Sequence, residues 1–283
     1  MVMTSPEPSL DALRQQVDRV DEQLHDLIMK RCQLVERLGP LKTGSGPAIR
    51  PGREAEVLRR LMARHKGGFP KASLVRIWRE MLGAFGGLQE PLSIAVCQAE
   101  RGDGFIELAR NHFGVVWPVN PIPGAGQVVK LVADGQASVG VVPLPGHGPG
   151  GAEPWWVALT AENEAIPRVV SRLPVYPNDD PRPEPLEALV IARRPHDDTG
   201  LDRTLVVAET GATTSRDRVR ALFAAAGMEP TEILAATNVD GTLLTLVEVE
   251  GWVGPADPRL VTLVRDPVRH ASVIGGYPVP LSP

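Results

Sequence analysis

The stretch "DLIMKRCQLVERLGPLK" (residues 26–42) carries a cation where a leucine belongs. Upstream of it, apolar residues fall at Leu10, Leu13, Val17, Val20, Leu24 and Leu27, and they resume at Leu34, Leu38 and Leu41. Steps of three and four place them on one stripe of a helix. Arg31 is the one member of the series that is not apolar. The pattern predicts a helix from about Pro6 to Lys42, with Pro40 kinking or ending it. Some 37 helical residues span about 55 Å. A helical unit of roughly 90 residues is too small to bury such a stripe, so the stripe calls for a second copy in an intertwined homodimer. A plain coiled coil is the simpler reading, but an unpaired charge in an apolar seam is costly. Arg31 is therefore expected to meet an anion.

Working outward, "TGSGPAIRPG" (43–52) reads as a loop. "REAEVLRRLMARH" (53–65) reads as a second helix with Val57, Leu58, Leu61 and Met62 on one face. "ASLVRIWREMLGAFGGLQ" (72–89) reads as a third, with Leu74, Ile77, Trp78, Met81, Phe85 and Leu88 at helical spacing. After "QEP" (89–91) the period changes. "LSIAVC" (92–97) and "SVGVVPLP" (138–145) are strand-like, and "GFIELARNHFG" (104–114) and "GAGQVVKLVADGQ" (124–136) are helix-like. "EAIPRVVSRLPVY" (164–176) and "EALVIARRP" (187–195) look like further strands, joined by the turn-rich "PNDDPRPEP" (177–185). From residue 201 the order is strand, helix, strand, strand, helix, strand, which suits a ferredoxin-like sandwich. The predicted architecture is multidomain: an all-α three-helix unit (1–90), an α/β lobe with a partly parallel sheet (91–200) and an α+β βαββαβ unit (201–283).

A net charge of −4 carries no basic footprint for nucleic acid. No apolar run is long enough for a membrane span, and "MVMTSPEPS" lacks the features of a signal peptide. Two isolated cysteines, Cys32 and Cys97, suit reduced thiols in a cytoplasmic protein. The six histidines show no metal-ligand spacing, and no cofactor is expected. "GAGQVV" (124–129) puts two glycines before a helix; a turn is a plainer reading than an anion site.

Helix arithmetic gathers further cations near Arg31. Lys42 lies 11 residues on, within about 20° of the same face. Arg14 is 17 residues back, about 25 Å along the axis, so it suits the partner's site in an antiparallel dimer better than its own. Arg53 opens the second helix. The expected ligand is a small dianion. Read singly, these residues are solvated charges, and only their joint spacing favours a site.

"LDALRQQVDRVDEQLHDLIMKRCQLVERLGPLK", "IRPGREAEVLRRL" and "VRIWREML" together resemble the helical chorismate mutase domain, found alone or fused to prephenate dehydratase. The resemblance covers residues 9–89. It implies that Arg31 and Arg14 of the partner subunit hold the two carboxylates of chorismate. Lys42 and Gln89 would face the ether oxygen, Arg53 would support the site and Glu54 would meet the ring hydroxyl. Without the resemblance, Glu54 is a first-turn acid and Gln89 a helix-end polar residue. Two positions depart from the family pattern: an acid that commonly follows the residue matching Arg50 is missing, and Phe85 stands where a serine is common.

The implied reaction, chorismate to prephenate, is a unimolecular rearrangement that needs no nucleophile, metal or redox cofactor. Guanidinium forks fix the carboxylates of the compact conformer, and donors at the ether oxygen stabilise charge that grows as the C–O bond breaks. The rest of the chain more faintly resembles prephenate dehydratase with its ACT domain, through "GQASVGVVPLP", "EALVIARRP" and "VIGGYPVP". The family's Thr-Arg and Glu-Asn-Ser elements are missing, and the interval from Pro145 to Leu186 is short for a second lobe. The resulting expectation is a cytoplasmic chorismate mutase with inactive appendages. Its rivals are a bifunctional mutase–dehydratase and a non-catalytic dimeric regulator.

Overall fold

The structure, a computed structural model, describes residues 9–39, 49–88, 90–98, 104–147, 150–176 and 186–282. The chain divides into two compact units, Met1–Ser45 and Gly46–Pro283.

The first unit is one helix, α1 (Leu10–Leu38). Ser9 caps it, its side chain accepting from the Ala12 amide, and Gly39 closes the last turn ahead of Pro40. The apolar stripe is present as read, yet no residue of the helix is buried. Leu10 is 64% exposed and Leu27 61%. A stripe this long left open on a single chain has the character of an interaction surface.

In the second unit, α2 (Pro51–Arg64) and α3 (Lys71–Gly87) lead into the sheet. Pro51 stands at the first helical position, where its missing N–H costs nothing. The strands are β1 (Ile94–Cys97), β2 (Val119–Ile122), β3 (Val139–Pro143), β4 (Arg168–Leu173) and β5 (Ala188–Ala192), with α4 (Gly104–Phe113) and α5 (Ala125–Ala133) between the first three. β6 (Asp202–Gly211), α6 (Arg216–Ala225), β7 (Pro230–Val239), β8 (Thr242–Glu250), α7 (Pro258–Leu263) and β9 (His270–Pro278) complete the chain in the expected βαββαβ order. β1 pairs in parallel with both β2 and β3, and α4 and α5 are its crossovers. β1, β3 and β5 read as unbroken apolar runs because both faces are covered.

All strands join one sheet in the order β2-β1-β3-β5-β4-β9-β6-β8-β7. The sheet runs through residue 200 without a break, and one buried cluster draws on both sides of it, from Ala95 and Trp156 to Leu246 and Tyr277. The division 1–90, 91–200, 201–283 is therefore not where compactness divides the chain. α2 and α3 belong with the sheet, because polar and apolar contacts fasten them to it.

β2 carries no local strand signature of its own, because "VNPI" has neither alternation nor an apolar run. Pro121 is tolerated there since β2 is an edge strand. On α3 the buried positions are Val75, Arg79 and Phe85, while Ile77 and Leu88 are about half exposed. Gly83 and Gly87 decide that side. A Cβ on Gly83 would lie 2.0 Å from the Phe113 carbonyl oxygen, and one on Gly87 would lie 1.7 Å from the Trp117 ring. Their absence lets α3 lie against the end of α4, where the Trp117 indole donates to the Gly83 carbonyl at 3.1 Å.

His196 lies buried beside Trp252, and its Nε2 has no partner among the described residues. Burial holds it neutral and brings its pKa down to about 4, although Asp202, Asp197 and Asp198 pull the other way. The unfolded chain then binds more protons below about pH 6.5. Stability is expected to fall as pH drops from about 6.5 to 4, by about 3 kcal/mol. Denaturant titrations across this range check it, and His196→Gln should flatten the slope.

Candidate active site

The start of α2 carries two of the residues singled out above. Arg53 points outward, 60% exposed, and pairs with Glu56 at 2.8 Å. Glu54 turns inward, with its side chain 17% exposed. Its Oε2 accepts from Arg79 Nη1 at 2.6 Å. Arg79, on α3, is 4% exposed and also donates from Nε and Nη2 to the His112 carbonyl at 2.8 and 2.5 Å. The guanidinium thus bridges a carboxylate on α2 and the last turn of α4. Ile49, Leu82, Gly86 and Glu90 share the recess that Glu54 and Arg79 line. His112 is itself buried, and burial, with the Arg79 charge second, holds its imidazole neutral with a pKa well below the ordinary value.

On α1, Arg14 is exposed and pairs with Asp11 at 3.4 Å. Every other Asp, Glu, Lys and Arg of α1 is exposed, but Arg31 is half-buried. That burial lowers its pKa from the usual arginine value. Arg14 and Arg31 stand 17 residues apart on one straight element, so a single copy does not bring their heads together. Lys42 and Gln89 lie outside the described residues. The structure therefore brings Glu54 to a partly buried position, leaves Arg53 and Arg14 at the surface and encloses Arg31 in part.

Sequence reasoning missed Arg79. In "VRIWREML" it reads as half of an ordinary Arg-Glu pair, and only its position one turn after Val75 on the buried side hinted at it.

The profile described as Chorismate mutase type II matches residues 13–90. Residues 13–90 are a type II chorismate mutase region. The chain is 34% identical over 141 residues to the bifunctional chorismate mutase/prephenate dehydratase of Pseudomonas aeruginosa, and 33% identical to that of Stutzerimonas stutzeri. Each match covers 48% of this chain and 38% of the relative. That share is more than the mutase region supplies, so the likeness continues into the α/β part, while the chain spans well under half of these relatives' length. Among solved structures, a prephenate dehydratase from Staphylococcus aureus aligns over 66% of this chain and all of that one, with 12% identity and a TM-score of 0.49. A quorum-quenching acylase, GqqA, aligns with 18% identity and a TM-score of 0.47. Both likenesses are loose.

Beyond the mutase region, the glycines of "GAGQVV" do lead into a helix N-terminus, and its anion is internal. Glu153 accepts from the Ala125 amide at 2.9 Å and the Gly126 amide at 2.8 Å. Burial, and then the Glu153 charge, push the Cys97 thiol up to about 11. Glu153→Ala is expected to cost about 1–2 kcal/mol, as for loss of a helix cap, and to bring the Cys97 pKa down. Urea melts and the pH dependence of thiol alkylation check the two parts. At α6 the N-cap is Ser215, whose hydroxyl accepts from the Arg218 amide at 3.2 Å.

Proposed function

We propose that this protein is a homodimeric chorismate mutase of aromatic amino-acid biosynthesis, with a dehydratase-like part that is inactive and an ACT-like C-terminal part. One observation carries the reading: the mutase region keeps a half-buried arginine in an otherwise apolar helical stripe. Arg31 and Arg14 of the partner subunit hold the substrate's carboxylates, Lys42 and Gln89 donate to the ether oxygen, Arg53 supports the site and Glu54 receives the ring hydroxyl. Fixing both carboxylates removes rotational freedom before reaction, and the two donors act mainly on the transition state. The divisions 1–90, 91–200 and 201–283 are sequence modules on this view, and the protein works in the cytoplasm. No helix among the described residues is long and apolar enough to cross a membrane.

Two observations favour an inactive dehydratase part: the Thr-Arg and Glu-Asn-Ser elements are missing, and Glu153 occupies the amides at the head of α5. The direct experiment supplies chorismate to the purified full chain and follows both prephenate and phenylpyruvate. Prephenate alone is expected. Turnover no faster than the uncatalysed reaction overturns the mutase reading, and phenylpyruvate overturns the inactive appendage. The homodimer rests on the exposed stripe of α1. Placing glutamate at Leu24 and Leu27 together should shift light-scattering mass from dimer to monomer.

A second reading, a dimeric regulator without catalysis, draws on the Glu54–Arg79 pair, which occupies part of the carboxylate meant for substrate.

A further inference from the structure

Glu54 is held by one oxygen only. Oε2 accepts from Arg79, whereas Oε1 has no hydrogen bond to any described residue. The holding group is anchored in turn. Arg79 spends its other two donating nitrogens on the His112 carbonyl at the end of α4. The surrounding contacts fix the same joint from several sides. The Val115 amide donates to Glu80 at 3.2 Å, Trp117 donates to Gly83, and Gly83 and Gly87 of α3 admit the chain at Phe113 and the Trp117 ring. On α2, the Gly52 amide donates to Asp197 at 3.0 Å, and Arg59 donates to the Thr199 hydroxyl at 2.8 Å and the Leu201 carbonyl at 2.7 Å.

We infer that Arg79 is a positioning residue for Glu54, so that the α/β part is a working component of the mutase site even though it performs no chemistry of its own. The inference rests on the mutase reading above. A planar guanidinium can serve a carboxylate along one edge and a carbonyl along another without changing rotamer. It fixes Glu54 in one rotamer, with Oε1 left for the substrate hydroxyl. An unanchored glutamate would sample several rotamers and lose that aim. The recess at Glu54 is thus assembled by two helices of the mutase region and by the backbone of a helix outside it.

The test is a double-mutant cycle on the full chain, read as kcat and KM with chorismate. Glu54→Gln in the native background is expected to lower kcat/KM roughly ten- to a hundredfold, the range for a hydrogen bond to a charged group. Arg79→Met should lower it by a similar factor. In the Arg79→Met background, Glu54→Gln should then cost less than about threefold. A purely structural role for Arg79 predicts instead that Glu54→Gln costs the same factor in both backgrounds, and that result overturns the inference. Arg79→Lys keeps the charge but cannot serve both partners; it decides the matter should Arg79→Met not fold. Native kcat and KM in Arg79→Lys also overturn the inference. Absence of turnover in the unmodified protein overturns the mutase reading and takes this inference with it, an outcome distinct from the other two.

Discussion

Replacing Arg31 with alanine is expected to lower chorismate turnover by roughly 10²–10³-fold, with the loss shared between kcat and KM. The residue interrupts a stripe that is otherwise leucine and valine from Leu10 to Leu38. It is the one charged side chain of α1 that is not exposed. Burial lowers its pKa, which records a cost of enclosing the charge. On the mutase reading, a substrate carboxylate held by the guanidinium fork would offset that cost. Arg31→Lys should recover part of the rate, since an ammonium supplies charge without the planar two-point grip. Initial rates over a range of chorismate concentrations separate the two parameters. Equal rates in wild type and Arg31→Ala, both near background, would favour the regulator over the enzyme.

The largest expected effect on stability is at Arg172. This residue, on β4, reaches across the middle of the sheet. Its Nη1 donates to Glu248 on β8 at 3.1 Å and to the Tyr277 hydroxyl on β9 at 3.0 Å, and its Nε and Nη2 donate to the two oxygens of Glu187 at 3.1 Å each. Tyr277 also donates to Glu248. Glu248 and Tyr277 are 5% and 1% exposed. Burial opposes the charge on Arg172, but Tyr277, Glu187 and Glu248 outweigh it and raise its pKa. Burial, and then Glu248, raise that of Tyr277. The network spans a seam where backbone pairing is sparse, because β4 and β9 register only through Val169 and Gly275. Gly275 has φ +129°, and a Cβ there would lie 2.3 Å from the Val169 backbone.

Arg172→Met removes the cation and leaves Glu248 buried without it. The expected cost is about 3–5 kcal/mol, or a fall in Tm of roughly 10 °C for a unit of this size. Adding Glu248→Gln should restore a good part of the loss, since the buried carboxylate, which Arg203 meets only at 3.8 Å, is then uncharged. A melt of Arg172→Met within 2 °C of wild type would show that the network contributes little.

What local pattern can show, the sequence showed. α1, α4, α5 and the βαββαβ order were legible, because periods near 3.6 and 2 follow from the geometry of the chain itself. Arg31 stood out for the same reason, as one break in a regular series. It is half-buried, and the apolar stripe around it is exposed.

Only the tertiary structure decided the remainder. β2 exists because α4 and α5 deliver "VNPI" beside β1, not because of its own composition. Which side of α3 is buried depended on two glycines meeting Phe113 and Trp117. Glu54 found Arg79 25 residues away, Glu153 found the head of α5 27 residues away, and Arg172 found Glu248 at a separation of 76. A carboxylate looks the same in a sequence whether it is solvated, capping a helix or clamped by a guanidinium. Its partner is chosen by packing over long chain separations, and local periodicity holds no record of that choice.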